Sequence, residues 1–306
     1  MAHKVCIDGT AYEIDGGKAM VDGAVYEIDH GTTLVDGTAY EVGFGSWPDD
    51  LDTGLEFISS SAFTLSVAYP GWDGTMEYCN SKDGWQTWDG SEISSGKAKS
   101  GQCIYIRGTG NTKVTGAINA NYAWTLTGTA IKCNGNIEKL LDYATAGAGG
   151  HPTMAARCYQ YMFHRCTALT TVPSLPATTL TNYCYASMFT SCTALTTAPS
   201  LPATTLGGYC YANMFQSCTA LTTVPSLPAT TLTNYCYQHM FNGCTKIKLS
   251  SSNTGTYTKA YRIPYSGTGT TATNSLAYMF NNTGGAFTGT PSINTTYYLD
   301  SSNTIV

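Results

Sequence analysis

The 306-residue chain is long enough to bury a sizeable core, yet only 11% of it is charged, against roughly a quarter in an average soluble protein. Residues 1–56 hold twelve acids and two lysines, which leaves eight acids and thirteen bases for everything beyond. So few scattered bases make no track for phosphates, which argues against nucleic acid and anionic membranes as partners.

The N-terminal residues 1–46 repeat on a seven-residue beat marked by Asp8, Asp15, Asp22, Asp29 and Asp36, mostly followed by Gly. Asp-Gly favours the left-handed backbone of tight hairpin turns, and the short β-branched and aromatic runs between them predict a small β-meander. The aspartates also suit calcium. Turn geometry already accounts for Asp-Gly, so no metal and no cofactor is assigned. The opening Met-Ala-His-Lys-Val-Cys lacks the apolar stretch of a secretory leader, and no run reaches membrane-helix length. The expectation is a chain made in the cytoplasm, without a signal peptide and without membrane insertion.

A second module, residues 53–130, reads as short strands at 55–58, 63–68, 75–78, 103–107 and 123–127, separated by Gly, Asn and Ser clusters. That pattern predicts a small β-sandwich. Trp72, Trp85 and Trp88 suit either a sugar-stacking platform or a core.

The third module, 131–306, opens with a predicted capping helix at 134–143 and then repeats a 26-residue unit. Cysteines recur at 158, 184, 210 and 236 and at 166, 192, 218 and 244, and no charged residue occurs from 166 to 245. A fixed period of this size predicts a solenoid of stacked rungs. Cys184 and Met188, four apart and beside Phe189, suggest a helical side, and Pro199 and Pro202 an extended one. Cys184, Met188, Phe189, Cys192, Leu195, Leu201, Cys210, Phe215, Cys218 and Leu221 are the expected core. The cysteines read as buried reduced thiols, since they lack the short spacing of a metal site. Thr171, Ser174, Thr197, Ser200, Thr223 and Ser226 are expected along the strand face, where hydroxyls can bond a glycan or peptide.

The repeated Met-Phe-x-x-Cys-x-x-Leu-x-x-x-Pro-x-Leu-Pro-x-x-x-Leu unit, with Phe189, Cys192, Leu195, Leu201, Pro202 and Leu206 on its pattern, resembles the BspA-type leucine-rich repeats of gut-associated bacteria and their phages. The preceding module resembles the domain that often stands before such repeats, and Ser81-Lys-Asp-Gly-Trp-Gln-Thr-Trp88 resembles the turn-forming Asp-box of sialidases. The acidic meander is similar to leaders of phage tail or minor structural proteins. This resemblance implies a mixed α+β and β chain of meander, sandwich and leucine-rich-repeat solenoid.

Its implied function is non-enzymatic: a virion component, in tail or surface, that assembles through its N-terminal modules and binds a host-surface protein or glycan. Other virion proteins or copies of itself would be its partners. A bacterial cell-surface adhesin and a self-assembling filament or lattice are the alternatives. No catalytic residue is assigned. His239, beside Cys236, occupies a variable outward position held by Ser187 and Asn213 in the other copies.

Overall fold

Runs between the Asp-Gly dipeptides have the β-branched and aromatic character of strands, and six of them pair in the computed structural model. They are β1 (His3–Ile7), β2 (Thr10–Ile14), β3 (Lys18–Val21), β4 (Ala24–Glu27), β5 (His30–Val35) and β6 (Thr38–Gly43). They form three antiparallel hairpins, β1 with β2, β3 with β4 and β5 with β6, in the registers His3↔Ile14, Lys18↔Glu27 and His30↔Gly43. The structure describes the backbone of these strands and residues 47–98, 101–116 and 119–306 in full. Asp8, Asp15, Asp22, Asp29 and Asp36, which carry the turn and calcium readings, lie outside the described residues. The chain divides into two units, Met1–Asp49 and Asp50–Val306.

In the second unit, alternating burial along 55–59 marks β7 (Leu55–Ser59). There follow β8 (Thr64–Val67), β9 (Thr75–Cys79), β10 (Gln86–Thr87), β11 (Ile93–Ser94), β12 (Gly96–Ala98), β13 (Gly101–Thr109), β14 (Trp124–Thr127) and β15 (Ile131–Asn134). The helix α1 (Lys139–Gly147) and β16 (Leu169–Thr171) come next. One sheet has the order β10-β9-β13-β7-β15-β16, with β12 added on β13, and a smaller one has the order β11-β8-β14. β15 pairs antiparallel with β7 and parallel with β16, so the large sheet is mixed and runs on into the repeats. The predicted β-sandwich is thereby corrected.

The predicted helix at 134–143 is displaced. Asn134 belongs to β15, where it pairs opposite Glu56, and the helix starts only after Asn136 accepts the Glu138 backbone N–H at 2.9 Å. Gly108 on β13 lies against this helix so closely that a Cβ there would fall 1.9 Å from the Leu140 carbonyl oxygen.

The repeats are neither helical nor stranded on the side where a helix was expected. Tyr183, Ser187 and Ser191 have φ of 60°, 55° and 60°, and the equivalent positions of the other copies are left-handed too. Between these residues the backbone N–H groups alternate. Cys184, Ala186 and Met188 donate to the carbonyl three residues back, whereas Tyr185, Ser187 and Phe189 donate to Cys210, Ala212 and Met214 of the next copy. Every described bond of this set is satisfied by a tight turn or by the neighbouring copy, which is why no i to i−4 helix forms. Phe163, Phe189, Phe215, Phe241 and Phe280 stack in one buried column at 5.4–5.7 Å, and Tyr159, Tyr185, Tyr211 and Tyr237 in another at 5.5–5.8 Å.

The C-terminal part adds β17 (Thr223–Val224), β18 (Leu249–Ser250), β19 (Tyr257–Arg262), β20 (Thr296–Asp300) and β21 (Thr304–Ile305). β18-β20-β19 form an antiparallel sheet, and β21 pairs parallel with β17. Asn303, fully buried, fastens this end by donating to the carbonyls of Thr222 and Lys246 and accepting the Lys248 N–H, all at 2.9 Å.

The leucine-rich-repeat solenoid is overturned by this geometry. No curled or repeating sheet runs along the copies: beyond β16 and β17 their strand sides meet only at single bridges such as Thr179↔Thr205 and Thr231↔Thr270. The described residues form a mostly β fold with one α-helix and mixed parallel and antiparallel sheets. The solenoid architecture on which the virion reading leaned is replaced by it.

Candidate recognition surface

The six hydroxyl residues expected on one face are not all brought together. Thr171, Ser174, Thr197 and Ser200 are exposed, and Ser226 is half-buried. Thr223 is buried because β21 covers it, and its hydroxyl accepts the Ala198 N–H at 2.6 Å. The Ser226 N–H donates to the Val306 carbonyl at 2.8 Å. What remains is a patch from two copies, with a groove of about 270 Å³ bounded by Thr170, Thr171, Thr196, Thr197 and Pro199.

All ten expected core residues are buried, none more than 1% exposed. The cysteine rows explain themselves by hydrogen bonding. Cys192, Cys218 and Cys244 each direct the thiol to the carbonyl 29 residues earlier, on Phe163, Phe189 and Phe215, at 3.1, 3.0 and 2.9 Å. Burial pushes the Cys166, Cys218 and Cys236 thiols up to about 12. A Cys236–His239 nucleophile therefore lacks its thiolate. His239 instead lies 3.0 Å from the Asn242 amide and stacks on Tyr278. Among the described residues no group of three His, Cys, Asp or Glu is placed to hold a metal ion.

The tryptophans are committed internally. Trp88 is buried, with Trp72 stacked on it at 5.4 Å and Trp124 edge-on at 5.3 Å. Trp85 lies over the guanidinium of Arg107 at 4.0 Å and donates its indole N–H to Asp50 at 2.9 Å. Arg107 also reaches Glu77 at 2.8 Å, Asp50 at 2.7 Å and the Tyr143 ring at 4.3 Å. Burial raises the Asp50 carboxyl, but the Trp85 and Arg107 hydrogen bonds outweigh it and hold the group below its ordinary range. Arg107 thus locks β13, β9 and α1 together.

Outside, half-buried Tyr183, Tyr209 and Tyr235 stack at 4.6 and 4.4 Å, with Arg157 over the first ring at 4.1 Å. Their faces cover one another, so edges and hydroxyls are what solvent meets. A second row, partly buried, changes from copy to copy. Tyr161, Ser187, Asn213 and His239 are left-handed residues, and in each copy the residue three further on closes a tight turn by donating to their carbonyls. Burial lowers the His164 and His239 imidazoles, with Arg165 adding to the effect at His164. The signal was present in the copies: these positions carry a different residue in every copy.

Among known proteins, no family model, no curated protein and no solved structure matches the chain. Among the described residues no helix is long and apolar enough to cross a membrane.

Proposed function

We propose that the chain is a non-enzymatic recognition and assembly protein, carried on a phage particle or a bacterial surface, whose repeat copies present a neutral face to a host-surface protein or glycan. The observation that carries this reading is the composition of residues 166–245: no charged side chain, with hydroxyl, amide and phenol groups displayed at the same places in successive copies. Such a surface grips through hydrogen bonds and aromatic edges, and its binding responds weakly to salt. Other proteins of the particle or surface, or copies of the chain itself, would be the assembly partners. Attachment of the full chain to host cells at low and high salt tests the reading. Adhesion that persists at high salt supports it, and adhesion that collapses as salt rises shows a charged contact elsewhere. Replacing the exposed Thr171 and Thr197 together by Lys asks whether the groove between them takes part.

A further inference from the structure

Residues 245–306 carry Lys246, Lys248, Lys259 and Arg262 against a single acid, Asp300. Two of these charged groups are taken up within the chain: Lys259 donates to the carbonyls of Ser301 and Asn303, and Asp300 accepts from the Ser302 and Thr256 hydroxyls. Arg262 is placed differently. It ends β19, half-buried, and among the described residues no carboxylate lies within ion-pair distance of its guanidinium.

Its bonds all go to neutral acceptors. Nε donates to the Asn294 carbonyl at 3.4 Å, Nη1 to the Pro264 carbonyl at 2.9 Å and Nη2 to the Asn294 side-chain oxygen at 3.2 Å. Asn294 is in turn clamped on Gly269, whose N–H it accepts at 2.8 Å and to whose carbonyl it donates at 3.0 Å. A guanidinium has more N–H groups than these acceptors use, so one is left on each terminal nitrogen of a fork already held in place.

Arg262 lines a groove of about 300 Å³ with Ser226, Tyr261, Tyr265, Thr296 and Ile305. That volume is at the low end for small-molecule sites and suits one ring-sized unit better than a stretch of chain. Tyr265 and Ile305 are 58% and 40% exposed, two of the few large apolar side chains that the described residues leave in solvent, and they stand at one groove. An unpaired, preoriented fork matches a carboxylate, and an exposed aromatic face with hydroxyls beside it matches a sugar ring.

We propose that this groove binds a carboxylate-bearing sugar, a uronic or sialic acid unit of a surface glycan, with Arg262 holding the carboxylate and Tyr265 covering the ring. The site is built on β19 and β21 rather than on the neutral face of the copies, so it goes beyond the recognition reading above and stands or falls separately from it.

The test titrates the full chain with methyl glucuronide and N-acetylneuraminic acid, with methyl glucoside as the neutral control, followed by saturation-transfer NMR. The expected result is binding of at least one acid and none of the glucoside, and the acid that binds tells a uronic from a sialic source. Arg262→Gln should weaken that binding about tenfold or more, as for lost hydrogen bonds to a charged group, and Arg262→Lys, which keeps the charge without the fork, should not restore it in full. Because Arg262 also fastens Pro264 and Asn294, thermal melting checks that both variants fold. Tyr265→Ala leaves those bonds alone and should weaken binding with an unchanged melting point. Failure of both acids to bind, equal binding of the glucoside, or acid binding that Arg262→Gln and Tyr265→Ala both leave untouched overturns the site. Acetate or inorganic phosphate bound as tightly as the sugars reduces it to a general anion site, and a short peptide bound more tightly through its terminal carboxylate assigns it to protein; either overturns the sugar. None of these outcomes bears on salt-resistant attachment to cells, which tests the face of the copies.

Discussion

Residues 50–151 and the copies from 158 to 244 solve the same problem by opposite means. The ion pairs of Arg107 with Asp50 and Glu77, and the hydrogen-bonded contact of His151 with Glu138, all lie in the first region. The copies contain no such pair and rely on columns of identical rings, thiol-to-carbonyl bonds and backbone bonds to the next copy. Single charged groups concentrate stability at points, and a periodic column spreads it along a line. The first arrangement should fail locally and respond to pH, the second should fail by cavities and ignore pH over most of the scale.

The largest expected effect is in the column. Phe215→Ala empties a fully buried position between Phe189 and Phe241 and should cost about 3–5 kcal/mol in urea unfolding. A loss below about 1 kcal/mol would show that the stack closes over the gap and that the column does not carry the stability of the copies. His151→Ala leaves Glu138 fully buried without its side-chain partner, at 2.9 and 3.0 Å in the native chain. About 1–3 kcal/mol is expected, the cost of leaving a buried polar group without its hydrogen-bond partner. His151→Ala with Glu138→Gln should recover part of it.

Cys218→Ala removes both volume and the bond to the Phe189 carbonyl and should cost on the order of 1–3 kcal/mol. A thiol reagent should find little reaction at the eight repeat cysteines until the protein is denatured. The Cys166, Cys218 and Cys236 thiols contribute stability that is complete below their unfolded value of about 8.5 and is lost as pH rises toward the folded value of about 12.

Acid should act outside the copies, in the first region and at the C-terminal sheet. Ser302 and Thr256 hydrogen bonds hold Asp300 down to about 2, and Asp50 is lowered too. Their stabilisation is present above the unfolded value of about 3.9 and is lost as pH falls through the folded one. Hydrogen exchange followed from neutral pH down to about 2, the Asp300 folded value, should therefore loosen β19, β20 and the Arg107 cluster before the copies. Loosening of the copies first would contradict the assignment. The smallest effect belongs to Thr197→Lys, an exposed substitution expected to change stability by less than about half a kcal/mol.

The strands around β7, β9, β13 and β14 were legible because alternation and turn residues act locally. The backbone of the copies was not. Cys184 and Met188 stand four apart, as a helix requires, but a chain of tight turns with every fourth residue left-handed shares that spacing, and its bonds reach a partner about 25 residues away. The buried rows of Cys, Phe and Leu survive either backbone, since the 26-residue period alone aligns them. Thr223 was misplaced for a different reason: residues 304 and 305, some 80 positions away, cover it.

The left-handed backbone also restricts the vocabulary of the turns in the copies. A branched β-carbon is strained at φ near +60°, and none of Arg157, Tyr183, Tyr209, Tyr235, Tyr161, Ser187, Asn213, His239 or Tyr278 has one. Position 190, in the following turn residue, does carry Thr and has no positive φ. A synthetic library on this framework would therefore draw the first residue of each turn from Tyr, Ser, Asn, His, Gly and Arg, and leave the fourth open to branched residues as well.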